Sequence, residues 1–290
     1  MYEQFYNLNE KPFSVTPDTK FFFSSEKHQE ALSSLIYAIE DRKGFAVITG
    51  EIGSGKTTVW HALLNNLGKS TKVALITNTH LTQKQVIIAI LEEFDIDYKV
   101  NWPKIKLLSK LNSFLLEQIA IGFNIVVIID EAQNLSPKVL EEVRMLSNLE
   151  TEKEKLIQII LMGQPELRDI LLKKELEQLR QRIAMFYHIS PLDYNETKEY
   201  IEHRLKIAGA NGNIIFEDSA LESIYISSGG IPRRINFICD RSMLSGFLRD
   251  RNTIDQKIIV EAVTEIDCIL DYKPKLVLSD ELSCERTKSL

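Results

Sequence analysis

The chain has 290 residues, of which 44% are hydrophobic and 26% are charged, and its formal net charge is −6. This length suits one large domain with a smaller one, and the composition is that of an ordinary globular protein. The acidic charge argues against a surface built as a whole to hold nucleic acid, but it leaves room for a local basic face.

Several classes of site and segment are not expected. The cysteines, Cys239, Cys268 and Cys284, are far apart and form no C-x-x-C pair, and the five histidines show no metal spacing. The N-terminus has no basic region followed by an apolar stretch, and the longest apolar runs, 125–129 and 156–162, are too short to cross a bilayer. We therefore expect a cytoplasmic protein, and any membrane association must be through a partner.

The first 24 residues predict an irregular aromatic segment. Phe13, Phe21, Phe22 and Phe23 stand among prolines here. Burying one such ring is worth about 1.5 to 3 kcal/mol, so four rings left in water would be a solubility liability. We expect this segment to dock on the folded part of the chain.

Residues 25–190 predict one α/β domain. An amphipathic helix starts near Glu26, and later helices are marked by a capping box, Thr82 with Gln85, and by Pro137 at a first helical position. Short β-branched runs alternate with these helical stretches, which is the pattern of a parallel sheet covered by helices on both faces. The five predicted strands are 45–49, 73–77, 125–129, 156–162 and 185–189.

Beyond Pro191 the strand-like runs stop and helical patterns dominate. We predict a separate, small all-helical domain over 191–270, within the usual range of domain sizes. Residues 271–290 mix lysine, serine and acidic residues without periodicity, so they predict a flexible tail.

A complete phosphate-binding loop follows the first predicted strand and precedes a helix, the context that this motif needs. Its glycines allow backbone N–H groups to cradle phosphate oxygens at a helix N-terminus. Lys56 is expected to reach the β and γ phosphates, and Thr57 to place its hydroxyl on Mg²⁺. The loop reads Gly50, Glu51, Ile52, Gly53, Ser54, Gly55, Lys56 and Thr57, with Thr58 next.

A second element supports nucleotide hydrolysis. The third predicted strand is apolar on both faces and ends in two carboxylates, Asp130 and Glu131, at the sheet edge where ligands of open α/β sheets bind. We expect Asp130 to hold the metal through water and Glu131 to polarise the attacking water. Loop and carboxylates together predict a Mg²⁺-dependent ATPase.

These features resemble an AAA+ P-loop ATPase, and within that superfamily the chain is similar to the general-secretion-pathway protein A group. The resemblance runs from Met1 to about Leu270. It is carried by Tyr6-Asn7-Leu8, Lys11-Pro12-Phe13-Ser14, Thr16-Pro17-Asp18, Gly44 to Glu51, Asp130-Glu131-Ala132-Gln133 and Gly163-Gln164-Pro165-Glu166-Leu167.

The resemblance implies roles for two residues near the phosphates. Gln164, after the fourth strand, resembles the sensor-1 position that feels the γ-phosphate, although Asn or Thr is commoner there. Asn78, after the second strand, resembles a residue that restrains the catalytic glutamate. Asn78 is equally suited to capping its own loop.

The resemblance also implies two arginine roles. Arg182, with Arg180 as second choice, stands before the fifth strand, where AAA+ proteins carry an arginine finger for the neighbouring subunit's nucleotide. A solvated helix end is the alternative. Arg233 follows Gly229, Gly230 and Pro232, which matches the sensor-2 helix, and is expected to reach from the small domain to the phosphates.

Because a nucleotide site is predicted, we expect the aromatic segment before Ser24 to pack along the nucleotide cleft and help to shape the base pocket. The alternative is that it completes the core of the large domain.

Two functions remain open. One is an AAA+ ATPase that couples nucleotide state to a homo-oligomer or to partner assembly in a secretion- or pilus-type envelope machine. The other is a transposition-type regulator that forms ATP-dependent filaments on duplex DNA, favoured by the cations of the small domain and disfavoured by the acidic net charge. Neither the partner nor the choice between a ring and a filament follows from the residues. The small-domain cations are Arg234, Arg241, Arg249 and Arg251.

Overall fold

The computed structural model describes residues 1–14, 18–151 and 154–270. The predicted tail, 271–290, lies outside the described residues, and so does Cys284. Within the described ranges no helix has the length and apolar character needed to cross a membrane.

A five-stranded, all-parallel sheet forms the centre of the large domain, as predicted. The strand order is β2-β3-β4-β1-β5. The strands are β1 Phe45–Gly50, β2 Thr71–Ile76, β3 Asn124–Ile129, β4 Gln158–Gly163 and β5 Ile183–Ile189.

Helices cover both faces of this sheet, because its central strands bury every side chain except that of Asn124. Alternate strand residues enter two separate cores, with Val127 facing one and Val126 the other. The helices of this domain are α2 Glu26–Glu40, α3 Lys56–Asn66, α4 Gln83–Glu93, α5 Lys104–Ala120, α6 Pro137–Leu146, α7 Glu166–Leu171 and α8 Glu177–Arg180, preceded by the short α1 Tyr2–Phe5.

The helix-start signals read from the sequence form as predicted. The Thr82 hydroxyl accepts from the amide of Gln85, whose side-chain oxygen accepts from the amide of Thr82. Pro137 occupies the first position of α6.

The second domain is helical, with one small addition. Its helices are α9 Tyr194–Ile207, α10 Asp218–Ser228, α11 Pro232–Leu248 and α12 Gln256–Leu270. Two strands of two residues each, β6 Ile215–Phe216 and β7 Thr253–Ile254, pair in parallel inside it. The sequence pattern does not predict them, since two residues are too few to show a period.

The first thirteen residues pack into this helical domain. Tyr2, Tyr6 and Phe13 are buried in one core with residues of α9 to α12. The Tyr6 hydroxyl lies 3.0 Å from the carbonyl oxygen of Met243, to which it donates. The aromatic segment was expected to lie along the nucleotide cleft or, alternatively, to complete the core of the large domain, but its first thirteen residues pack into the second domain instead.

Candidate nucleotide site

The phosphate loop leaves the C-terminal end of β1 and enters α3, whose N-terminal cap is Gly55. Gly53 and Gly55 have φ angles of +82° and +98°, in the left-handed region that glycine adopts without steric cost. A Cβ on Gly50 would lie 2.6 Å from the Ser54 hydroxyl. The loop therefore needs small residues both for its backbone and for its close packing.

Polar groups within the loop face inward. Lys56 Nζ donates to the carbonyl oxygens of Gly50, at 2.6 Å, and Glu51, at 2.9 Å. The buried Ser54 hydroxyl has no hydrogen-bond partner within the described part of the chain. Burial lowers the pKa of Lys56, and the nearby carboxylates of Glu131 and Asp130 act in the opposite direction.

A histidine for which the sequence pattern predicts no role supports this loop. His28 is buried in the first turn of α2, where Nδ1 lies 2.7 Å from the Ser25 hydroxyl and Nε2 lies 3.0 Å from the carbonyl oxygen of Ser54. A Cβ on Gly55 would lie 2.6 Å from Nε2. Since both ring nitrogens face uncharged groups, burial dominates and lowers the pKa of His28.

The two predicted carboxylates follow β3 at the same sheet edge. Glu131 has φ +49°, an uncommon value for a side chain of its size, and its amide donates to Asp130 Oδ1 at 2.9 Å. Burial raises the pKa of Asp130, and the Glu131 charge acts in the same direction. Backbone strain of this kind is found at functional sites.

Two glutamines hold the Glu131 carboxylate. The Gln164 side-chain amide donates to Glu131 Oε2 at 3.0 Å, and the Gln133 amide donates to the same oxygen. Gln133 Oε1 in turn accepts from the backbone amide of Gln164 at 3.0 Å. Gln164 reaches the Glu131 carboxylate because β4 runs between β3 and β1, whereas the contact of Gln133 was not foreseen.

Asn78 lies at the same edge of the sheet, but its side chain forms a hydrogen bond within its own loop. Its side chain is exposed, and Oδ1 accepts from the amide of His80 at 3.2 Å. This is the loop-capping alternative of the two considered.

The helical domain reaches the phosphate loop through the start of α11. The Arg233 amide donates to the Gly53 carbonyl oxygen at 3.3 Å, and a Cβ on Gly53 would lie only 2.4 Å from the Arg233 Cβ. The domain predicted to act as a lid therefore touches the loop backbone directly.

The phosphate loop, Glu131 and Arg233 line one cavity of about 390 Å³, a size that suits a small-molecule ligand, whereas Asp130, Gln164 and Asn78 are not among its lining residues. Three of its lining residues form a buried hydrogen-bonded group that the sequence pattern does not predict. The Tyr200 hydroxyl donates to Asn236 Oδ1 at 2.8 Å and accepts from Arg204 at 2.9 Å. The cavity is lined by Ser14, Asp18, Phe21, Phe22, Phe23, His28, Ile52, Gly53, Gly55, Lys56, Thr57, Thr58, Glu131, Leu192, Tyr200, Arg204, Pro232, Arg233 and Asn236.

The two candidate arginine fingers lie elsewhere. Arg182 immediately precedes β5. Ile183, the first residue of β5, pairs with Phe45 at the start of β1, so Arg182 lies at the sheet edge opposite the phosphate loop. Arg182 Nη1 lies 3.4 Å from the Ser147 hydroxyl. Arg180 instead donates to the carbonyl oxygens of Leu171 and Leu172. The structure does not bring either arginine to the cavity of its own chain.

The cations of the small domain are largely paired. Arg241, Arg249 and Arg251 form ion pairs with Glu265, Glu261 and Asp255 on or beside α12. Such exposed pairs are typical of a solvated face.

Comparison with known proteins agrees with this architecture. The AAA domain family matches residues 39–171. The chain is 43% identical to general secretion pathway protein A of Aeromonas hydrophila over 271 residues, 93% of this chain and 49% of that protein. The chain thus spans about half the length of this relative.

Two solved structures share the fold at low identity. Aeropyrum pernix ORC2, solved as ADPNP–ADP complexes, has a TM-score of 0.65 and 14% identity, covering 89% of this chain and 71% of that one. Drosophila ORC bound to DNA has a TM-score of 0.67 and 15% identity, covering 92% of this chain and 66% of that one. The chain therefore has an AAA+ P-loop NTPase fold followed by a small helical domain, and it is similar in sequence to general secretion pathway protein A.

Proposed function

We propose that the chain binds ATP with Mg²⁺, hydrolyses it, and couples the nucleotide state to contacts with other copies of itself or with a partner. One observation carries this proposal: the phosphate loop, Glu131 and the lid residue Arg233 line a single cavity. ATP in that cavity would contact both domains, so its γ-phosphate would bias the angle between them.

The residues present fit a nucleotide and its metal. The unpartnered Ser54 hydroxyl and the loop amides offer donors to phosphate, and Lys56 can exchange its loop carbonyls for phosphate oxygens. Thr57 and Asp130 supply the oxygen ligands that Mg²⁺ prefers. When bound, the ion neutralises charge on the β and γ phosphates.

The chain's own residues then divide the remaining work. Glu131 polarises the attacking water, and Gln164, hydrogen-bonded to it, links that carboxylate to the loop after β4. Phe21, Phe22 and Phe23 form the wall against which the base packs. Arg182, on the opposite edge of the sheet, serves the nucleotide of a neighbouring copy, with Arg180 as the second choice.

For the pathway, we propose a role in a secretion- or pilus-type envelope machine, with attachment at the inner membrane through a partner. The name of the Aeromonas hydrophila relative and its 43% identity support this choice. The DNA-filament alternative draws support from the ORC structure bound to DNA, but that likeness concerns the fold. The ion pairs of Arg241, Arg249 and Arg251 do not favour it.

Two variants test the proposed ATPase. Lys56→Ala is expected to lose ATP binding, whereas Glu131→Gln is expected to bind ATP normally and lose turnover, since it keeps the shape of the side chain without the carboxylate. Binding is measured with a fluorescent nucleotide and turnover by phosphate release. Unchanged turnover in purified Glu131→Gln protein would refute the mechanism.

A further inference from the structure

The chain crosses between its two domains twice. At the first crossing, Phe23 packs against Tyr200 of α9, with ring centroids 5.8 Å apart, whereas Ser25 caps α2 of the large domain. The second crossing runs from Ile189, where β5 ends, to Tyr194, where α9 begins. A change in the angle between the domains must be absorbed by the few residues at these two crossings.

Lys27 joins the two crossings. It lies two residues after Ser25, in the first turn of α2, and its Nζ donates to the Pro191 carbonyl oxygen at 2.9 Å and to Glu196 Oε2 at 2.8 Å. Pro191 lies in the second crossing, and Glu196 lies in the first turn of α9. One side chain of the large domain therefore holds both the connecting segment and the first long helix of the helical domain.

The carboxylate that Lys27 contacts is itself fixed to the backbone of α9. Glu196 Oε2 accepts from the Asp193 amide at 2.9 Å, and the Glu196 amide donates to Asp193 Oδ1 at 2.9 Å, which together form a capping box. The Glu196 side chain is 14% exposed and that of Lys27 is 31% exposed. Because water screens such a pair less than one on the open surface, its charges attract each other more strongly.

Backbone contacts carry the position of the second crossing to Arg233. The Leu192 amide donates to the Gly230 carbonyl oxygen at 2.9 Å. A Cβ on Gly230 would lie 1.9 Å from the Leu192 carbonyl oxygen, so no side chain can separate the two segments. Arg233 follows Gly230 by three residues, and its amide donates to the Gly53 carbonyl oxygen. A shift at Leu192 is thereby passed to the residue that touches the phosphate loop.

From this series of contacts we propose that Lys27 is a positioning residue, which holds the helical domain at the angle that brings Arg233 to the phosphate loop. The proposal rests on the ATPase function proposed above, since it names the residue that sets the angle between the domains in that function. Lys27 is not among the lining residues of the nucleotide cavity, so it acts on the nucleotide through Arg233.

Two variants remove this contact and spare its surroundings. Lys27→Met keeps an unbranched apolar side chain without the charge. Glu196→Gln keeps an oxygen for the Asp193 amide, so the capping box survives while the charge that faces Lys27 is lost. Lys27→Arg should behave as wild type, because its guanidinium offers donors to both oxygens. Lys104→Met is the matched control, because Lys104 pairs with Glu142 inside the large domain.

Hydrogen exchange tests the proposal without nucleotide. The Arg233 amide donates to Gly53 across the domain boundary, so its exchange rate reports this contact. In NMR measurements on nucleotide-free protein, this amide should exchange about fivefold or more faster in Lys27→Met and Glu196→Gln than in wild type. Its rate in Lys27→Arg and Lys104→Met should stay within about twofold of wild type. Equal rates in wild type and Lys27→Met would overturn the proposal, whether or not the protein hydrolyses ATP.

Nucleotide affinity then tests the route through Arg233. In a fluorescent nucleotide titration, Lys27→Met should weaken ATP binding about fivefold or more, and Lys104→Met should leave it within about twofold of wild type. In an Arg233→Ala background, Lys27→Met should cost little further affinity, because both changes remove the same contact. Losses that add in the double variant would overturn the proposal. Wild type that fails to bind ATP would refute the proposed function alone, and exchange at Arg233 would still decide the role of Lys27.

Discussion

Gly53→Ala should separate the lid from the phosphate loop. The added Cβ would lie 2.4 Å from the Arg233 Cβ and 3.1 Å from its Cδ, closer than atoms of folded proteins approach. The closest atom is a Cβ, which is fixed to the backbone, so no rotamer of Arg233 relieves the contact. The start of α11 must therefore move away from the loop.

The expected magnitude has two parts. An L-residue at the φ of +82° found for Gly53 carries strain of about 1–2 kcal/mol, which lowers the free energy of unfolding. The displaced lid would also lose the contact that we propose between the Arg233 guanidinium and phosphate. A hydrogen bond to a charged group contributes about 1.5–3 kcal/mol, which corresponds to a roughly 10- to 150-fold loss of ATP affinity.

Gly212→Ala provides the control. Gly212 has nearly the same φ, +80°, but no atom lies within 4 Å of the position of its Cβ. This variant should lose a similar amount of stability in urea unfolding and keep wild-type ATP affinity in a fluorescent nucleotide titration. The comparison isolates the contact with Arg233 from the backbone strain.

A double variant completes the test. Arg233→Gly removes the atom that the new methyl group meets, so adding Gly53→Ala to it should cost ATP affinity little more than Arg233→Gly alone. Wild-type ATP affinity in Gly53→Ala protein would refute the reasoning, because it would mean that the lid does not need to approach the loop to bind nucleotide.

Three further predictions follow from the site. Burial holds the pKa of His28 below 6.5, so the unfolded chain binds more protons than the folded chain below that pH. The free energy of unfolding should therefore fall as the pH drops from 6.5, and urea unfolding of His28→Gln should show a smaller fall. Arg182→Ala should bind ATP but hydrolyse it poorly and regain turnover when mixed with Glu131→Gln, whereas specific activity independent of wild-type protein concentration would contradict a shared site. Phe22→Ala should weaken ATP binding, because Phe22 lines the cavity. Phe13→Ala, outside the cavity, should lose about 3–5 kcal/mol of stability and keep its ATP affinity. Equal ATP affinity in both variants would show that the aromatic wall does not hold the base.

Local patterns in the sequence were sufficient to predict the strands of the large domain and the sheet that they form. Each predicted strand is a run rich in β-branched, aromatic or other apolar residues, and all five strands formed in one parallel sheet. The phosphate loop and the Asp130-Glu131 pair can also be recognised from the sequence, because each is formed by a few consecutive residues. The edge at which they meet follows from the parallel arrangement of the strands.

Only the tertiary structure decided which distant residues share a wall. Gln133 holds Glu131 because the loops after β3 and β4 are neighbours, and His28 supports Ser54 because the start of α2 lies under the loop. Sequence spacing carries no record of either contact. The same reason explains why the sequence predicts that the ring of Phe13 is buried but not where it is buried. Hydrophobic burial is non-directional, and the place of a side chain in the fold is set by packing between elements far apart in the chain.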